Sequence, residues 1–267
     1  MASAKLGAAA VPLYILSTVI VLFLLVPLVL PFVLSVSDTP FVTFPPRGFT
    51  LQWYWIVLKE RDFTDSLQLS LILGALTAVG AMLLGTPAAI GLVRYKFAGR
   101  DVIQSLLLSP LIFPALVTGI ALLRFFSSIG SQNAFANLLI GHVLVTIPYV
   151  VRTVSASLLQ LDPAIEEVAR TLGANRLMTF WWITRPQIMP GLFAGGIFAF
   201  VTSFDNYAIS MWLFDAANVP LPLTMFSLIS RMFDPGIAAI ASLMIVLSLV
   251  LVLLVERIAG LQRAMNM

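Results

Sequence analysis

Six stretches of this chain stay apolar for about twenty residues or more, which restricts its fold more than any motif does. They run over 11–35, 67–93, 102–126, 134–157, 188–213 and 236–255. About 20 apolar residues in a helix cross the hydrocarbon core of a bilayer. No water is present there, so a spanning segment must satisfy its own backbone N–H and C=O groups, as a helix does. The pattern predicts an all-α membrane protein with six transmembrane helices. Charged residues make up only 10% of the chain and the mean hydropathy is +1.02, against about 25% charged residues in soluble domains. The first run exceeds the roughly 7–15-residue core of a signal peptide and is expected to be a retained helix.

Several chemistries are poorly served by this composition. The net charge of +3 comes without a basic stripe, so no nucleic-acid partner is expected. There are no cysteines and one histidine, which leaves thiolate or multi-histidine metal sites without ligands. A phosphate-binding loop needs Gly-Lys followed by Ser or Thr, but the three lysines follow Ala4, Leu58 and Tyr95. No nucleophile–base pair or acid pair stands out. The chain is therefore expected to be no enzyme and to hold no cofactor. If it moves a solute uphill, the free energy comes from a partner or from an ion gradient. An ion-gradient carrier of a small organic cation is the alternative, but such folds commonly show repeats around a midplane site, and no repeat is visible.

An even number of spans puts both termini on one side. With the termini inside, Lys5, Arg94, Lys96, Arg100, Arg152, Arg170, Arg176, Arg185, Arg257 and Arg263 are cytoplasmic, and Arg47, Lys59, Arg61, Arg124 and Arg231 lie outside. The excess of basic residues in the first set predicts cytoplasmic termini. The outer connection, about 36–66, holds Phe44-Pro45-Pro46-Arg47-Gly48-Phe49-Thr50, which suits a turn followed by a short surface helix. The expected organisation is a first helix with its outer loop over 1–66, a five-helix core over 67–257 with an inner loop at 158–187, and a cytoplasmic tail over 258–267.

The inner loop, between spans four and five, carries a short helix with both of its end signals. Asp162 can cap it, and Pro163 suits its first position because the missing N–H would be orphaned there anyway. Glu166 and Glu167 lie near the positive end of the helix dipole. Ile165, Val168, Ala169 and Leu172 recur at i, i+3, i+4 and i+7 and form one apolar stripe. Gly173 can close the helix in the left-handed conformation. A helix resting on lipid favours Lys and Arg on its polar face, whereas Arg170 is the only basic residue here. A groove on a partner protein fits better. A second helical piece over 176–183 is expected to end at Pro186.

The fifth run contains the sharpest intramembrane signal. A carboxylate near the bilayer centre costs about 2.5–3.5 kcal/mol on insertion scales, so such groups face a cavity or a partner. Thr202, Ser203, Asn206 and Ser210 share one helical arc, with Asp205 and Tyr207 at its edges. That stripe suits the wall of an aqueous path. The other reading is that Asp205 ends the hydrocarbon region and pairs with Arg124 or Arg231. His142 is expected to be packed or hydrogen-bonded, because no acid lies within a turn of it. Gly74, Ala78, Ala81, Gly85 and Ala89 form a small-residue face for close helix approach. Pro87, Pro110, Pro114 and Pro148 can kink their helices.

The inner loop resembles a known family signature. Glu167-Val168-Ala169, then Gly173, Ile183 and Arg185-Pro186, match the EAA loop of ATP-binding-cassette importer permeases, with Arg185 in place of the usual leucine. The spermidine/putrescine-type branch is further resembled by Phe49-Thr50-Leu51-Gln52-Trp53-Tyr54, Arg94-Tyr95-Lys96-Phe97-Ala98-Gly99-Arg100 and Pro110-Leu111-Ile112-Phe113-Pro114. Pro148-Tyr149-Val150-Val151-Arg152-Thr153, Ser203-Phe204-Asp205-Asn206, Pro220-Leu221-Pro222 and Asp234-Pro235 complete that likeness. It implies a MetI-like permease half in a bacterial inner membrane. The expected partners are two cytoplasmic ATPase subunits, a second and related permease, and an extracytoplasmic solute-binding protein, with lipid around them. It makes the short helix a coupling helix, with Glu166, Glu167, Val168, Ala169, Arg170, Leu172 and Gly173 linked to the ATPase, and puts Ser203, Asp205, Asn206 and Tyr207 on the translocation path. The implied solute is a polyamine or a related nitrogen compound. Permeases of this branch often carry an acid directly after the second proline of Pro-x-x-x-Pro; here that residue is Ala115.

Overall fold

A computed structural model of the chain describes residues 10–231 and 235–265. The expectations for Lys5 and Asp234 lie outside the described residues, as do the side chains of Arg231, Arg257 and Arg263. The described residues are helical between their turns. The helices are α1 (Ala10–Leu34), α2 (Gln52–Lys59), α3 (Arg61–Arg94), α4 (Arg100–Leu108), α5 (Ala115–Ser128) and α6 (Ala134–Gln160). They continue as α7 (Pro163–Thr171), α8 (Arg176–Thr179), α9 (Arg185–Phe204), α10 (Tyr207–Leu213), α11 (Leu221–Arg231) and α12 (Pro235–Met265). Among the described residues, four segments are long and apolar enough to cross a membrane: Pro12–Leu34, Arg61–Arg94, Ala134–Gln160 and Arg176–Phe204. The third apolar run makes a fifth if its two bent halves count as one, and the sixth run lies within α12.

Two compact units divide these helices, one from residues 1–61 and 227–249 and the other from 62–226 and 250–267. In the first, the connection after α1 folds back on itself. Asp38 N–H donates to the Arg47 carbonyl at 2.8 Å and Thr50 N–H to the Val36 carbonyl at 2.9 Å. Gly48 makes this reversal possible with φ +69°, a value that side-chain-bearing residues avoid. The surface helix expected after Thr50 is α2. Trp53 Nε1 on it donates to the Ser37 carbonyl at 2.7 Å, and the Tyr54 hydroxyl lies 2.8 Å from both Ser35 Oγ and Ser242 Oγ.

The second unit is built around α3, α6 and α9. Ala81, Ala89, Val150, Val154, Leu158, Ile188 and Ala199 form its core. The small-residue face of α3 is buried as expected at Gly74, Ala78, Ala81, Gly85 and Ala89. A Cβ on Gly74 would stand 3.0 Å from the Phe200 ring, and one on Gly85 would stand 2.9 Å from Val150 Cβ. A second small-residue face, on α9, escaped the sequence reading. Gly191 and Gly195 lie i, i+4 against α6, where a Cβ at Gly195 would sit 2.8 Å from Val150 Cα. Lipid offers helices no hydrophobic drive to associate, so close backbone approach across small residues supplies dispersion contact instead.

Two runs and the second helical piece of the inner loop differ from expectation. The third bends by 105° between Arg100–Leu111 and Ala115–Ser128. Pro110 and Pro114 flank the bend; each lacks an N–H, so each removes a helical hydrogen bond there. The fifth run, expected over 188–213, stops at Phe204 and restarts at Tyr207. Pro186 does not end a separate helical piece. Arg176–Phe204 continues through a π turn at Phe180–Thr184, with Pro186 in the first turn of α9.

Candidate functional site

Helix α7 forms where its end signals place it. Asp162 Oδ1 accepts from Ala164 N–H at 2.9 Å, and Pro163 occupies the first turn. At the other end Gly173 has φ +95°. Its N–H donates to the Arg170 carbonyl at 3.1 Å, and Ala174 N–H donates to the Ala169 carbonyl at 3.0 Å. These two bonds satisfy carbonyls that the helix end would otherwise orphan.

The apolar stripe of α7 is not covered by the described residues of this chain. Ile165 is 46% exposed, Val168 55% and Leu172 83%, while Ala169 is half-buried. No residue of α7 is buried. Glu167 and Arg170 lie exposed beside the stripe, but Glu166 turns the other way. Its Oε1 accepts from Thr184 Oγ1 at 2.7 Å and from Arg94 Nη2 at 3.3 Å. Both side chains of the ion pair are largely buried, at 16% and 15% exposure, so water does not screen it as it does a surface pair. A cleft of about 280 Å³ surrounds this contact, lined by Ile90, Arg94, Glu166, Arg176, Phe180 and Thr184 among others. Arg185, the departure from the loop signature, stacks its guanidinium 4.8 Å from the centre of the Trp181 ring.

The break in the fifth run is a second feature. Asp205 closes α9, and Asn206 caps α10 by accepting from Ile209 N–H at 3.0 Å. A buried hydrogen-bond chain holds the two halves on either side. His142 on α6 pairs through Nδ1 with Ser203 Oγ at 2.7 Å and through Nε2 with Ser210 Oγ at 3.2 Å. Ser203 donates onward to Thr77 Oγ1 on α3 at 3.2 Å. Because Ser203 spends its proton on Thr77, its oxygen is free to accept from Nδ1–H, which leaves Nε2 to accept from Ser210. Every member is buried, so each hydroxyl needs its partner. The four residues expected on the translocation path therefore have different surroundings. Ser203 is committed inward and Asn206 to its cap. Tyr207 lies with its ring 5.2 Å from that of Phe226. Asp205 stays exposed and makes no ion pair among the described residues.

The contacts of Arg94 and Thr184 with Glu166 were not visible in the sequence. Arg94 entered as a loop charge and as the start of a family-like motif, and Thr184 lies inside the loop signature at a position to which that signature assigned no role.

Residues 81–263 match the family described as "Binding-protein-dependent transport system inner membrane component". The chain belongs to this family. It is 31% identical over 242 residues to the spermidine/putrescine transport system permease protein PotC of Escherichia coli (strain K12), covering 91% of each protein. It is also 31% identical over 230 residues to the putrescine transport system permease protein PotI of the same strain, covering 84% of this chain and 82% of that one. Among solved structures, a bacterial ABC transporter involved in the import of the acidic polysaccharide alginate superposes with a TM-score of 0.72. That match covers 97% of this chain and 98% of the other at 19% identity, a likeness of fold. The protein is a multi-pass permease subunit of an ATP-driven, binding-protein-dependent importer, and neither an enzyme nor an ion-gradient carrier. It works with an ATPase and a solute-binding protein.

Proposed function

We propose that α7 is the coupling helix through which cytoplasmic ATPase subunits drive this permease. The observation that carries the reading is the uncovered stripe of Ile165, Val168 and Leu172 on a helix capped at both ends. Val168, Ala169 and Leu172 enter a groove on the ATPase, with Glu167 and Arg170 at its rim. Gly173 lets the chain leave that groove. The distribution of basic residues supports cytoplasmic termini and an α7 on the same side as the ATPase. A second, related permease completes the path, residues 67–257 form the helical core, and a binding protein selects the solute outside. Closure of an ATPase dimer displaces α7, and the spans shift between inward- and outward-open states.

The absence of cysteine makes the test direct. Leu172→Cys gives the chain a single thiol that takes a photoactivatable crosslinker. In membranes holding the whole importer, the expected adduct contains an ATPase subunit. Adducts with lipid alone would remove α7 from the coupling role.

The solute we infer is a polyamine or a related small nitrogen cation, supported by the likeness to PotC and PotI. Asp205 is the carboxylate for such a cation, exposed at the break between α9 and α10; Asn206 and Tyr207 adjoin it. Ala115 removes one acid that other members of the branch offer, so Asp205 carries more of the attraction here. Two opposite charges 4 Å apart interact by about 1 kcal/mol in water and about 4 kcal/mol near a protein surface. Asp205→Asn should therefore lower uptake of a labelled polyamine about tenfold while the ATPase still co-purifies. An unchanged uptake rate would take Asp205 off the path.

A further inference from the structure

We propose that Glu166 is a positioning residue, the pin that joins α7 to the ends of α3 and α9, and not part of the face that meets the ATPase. This rests on α7 being the coupling helix. A coupling helix must do two things: bind the moving ATPase and pass its displacement to the spans. The stripe of Val168 and Leu172 serves the first purpose. For the second, α7 has little to work with, because none of its residues is buried and it interlocks with no apolar core. Among the described residues, the side-chain hydrogen bonds that tie it to other helices are those of Glu166.

Those contacts are placed to carry movement. Arg94 is the last residue of α3, a helix 34 residues long. Thr184 is the last residue of the π turn that feeds directly into α9. A single oxygen, Glu166 Oε1, holds both. Successive residues on a helix point about 100° apart: Glu167 borders this cleft but lies exposed at its edge, while Glu166 makes the contacts to Arg94 and Thr184. The two neighbouring acids thus divide the labour. Arg94 Nε, buried and without a partner among the described residues, leaves the guanidinium held through Nη2 alone. The cleft beside it gives the pinned side chains room to swing without colliding with a packed core. Movement of α7 then pulls on two spans at once, and α9 ends at the break that carries Asp205.

The test uses the complete importer in proteoliposomes and measures three things: ATPase subunits retained, ATP hydrolysed, and labelled polyamine transported. Glu166→Gln and, separately, Thr184→Val should keep the ATPase bound and hydrolysing, while solute moved per ATP falls about fivefold or more. The swapped pair Arg94→Glu with Glu166→Arg should recover at least half of the ratio that either single change loses. Loss of the ATPase from Glu166→Gln would make Glu166 a docking residue and overturn the proposal. So would an unchanged transport-to-ATP ratio in both single variants, or a swapped pair no better than its parts. An unmodified complex that never retains an ATPase would instead overturn the coupling role of α7 itself, and the two failures are told apart by which protein shows them.

Discussion

Replacing Val168 and Leu172 together by aspartate should strip the ATPase from the detergent-solubilised complex and reduce uptake to background. Both side chains are more than half exposed in this chain, so the change removes nothing from its own core. Anchors that dominate an interface typically cost 2 kcal/mol or more each when truncated. Aspartate adds the desolvation of a charge inside an apolar groove. Together the two changes should weaken docking by about 4 kcal/mol or more, roughly a thousandfold in the dissociation constant. The permease should still reach the membrane in normal amount, because α7 keeps its Asp162 cap and its Gly173 terminus. The measurement is quantitative pull-down of the ATPase beside the expression level of the permease. Retention of the ATPase at the unmodified level would place the docking contact elsewhere on the chain.

The second large effect concerns folding. Gly191→Ala, the addition of one methyl group, should destabilise the bundle severely. That carbon would stand 2.5 Å from the Thr153 carbonyl oxygen and would also strike Ser157 Oγ. The first of these is backbone in the middle of α6 and cannot rotate away, so α6 and α9 must move apart. Overpacking of this kind costs about 1–3 kcal/mol, and separating these helices also loosens Val150, Val154, Leu158 and Ile188. The same change at Gly91 is the internal comparison. A Cβ there meets nothing within 4 Å, and alanine is favoured over glycine in a helix by about 0.8–1.0 kcal/mol. Thermal unfolding in detergent should show Gly191→Ala well below the unmodified protein and Gly91→Ala level with it or above. Equal melting of the two variants would contradict the close approach of α6 and α9.

Local features of the chain announced a good deal of this. The caps of α7 and the glycine at its end depend on residues a few positions apart, and the structure forms them where they were expected; the apolar runs became helices, the third bent and the fifth broken. The prolines flanking the bend in the third run were also visible. Its angle was not, because proline removes a hydrogen bond without specifying where the chain goes next. The break at Asp205–Asn206 had a signal in the capping asparagine, but a polar stripe on a continuous helix explained the same residues equally well.

What the sequence determined by itself was the membrane, the helices and the apolar stripe of α7, because a helix closes its hydrogen bonds between residues four apart. Only the tertiary structure decided that Glu166 turns inward to Arg94 and Thr184, 72 and 18 residues away, and that His142 joins Ser203 to Ser210. Such pairs exist only once glycine faces on α3 and α9 have brought particular helices into contact. Nothing local in the chain records which faces will meet.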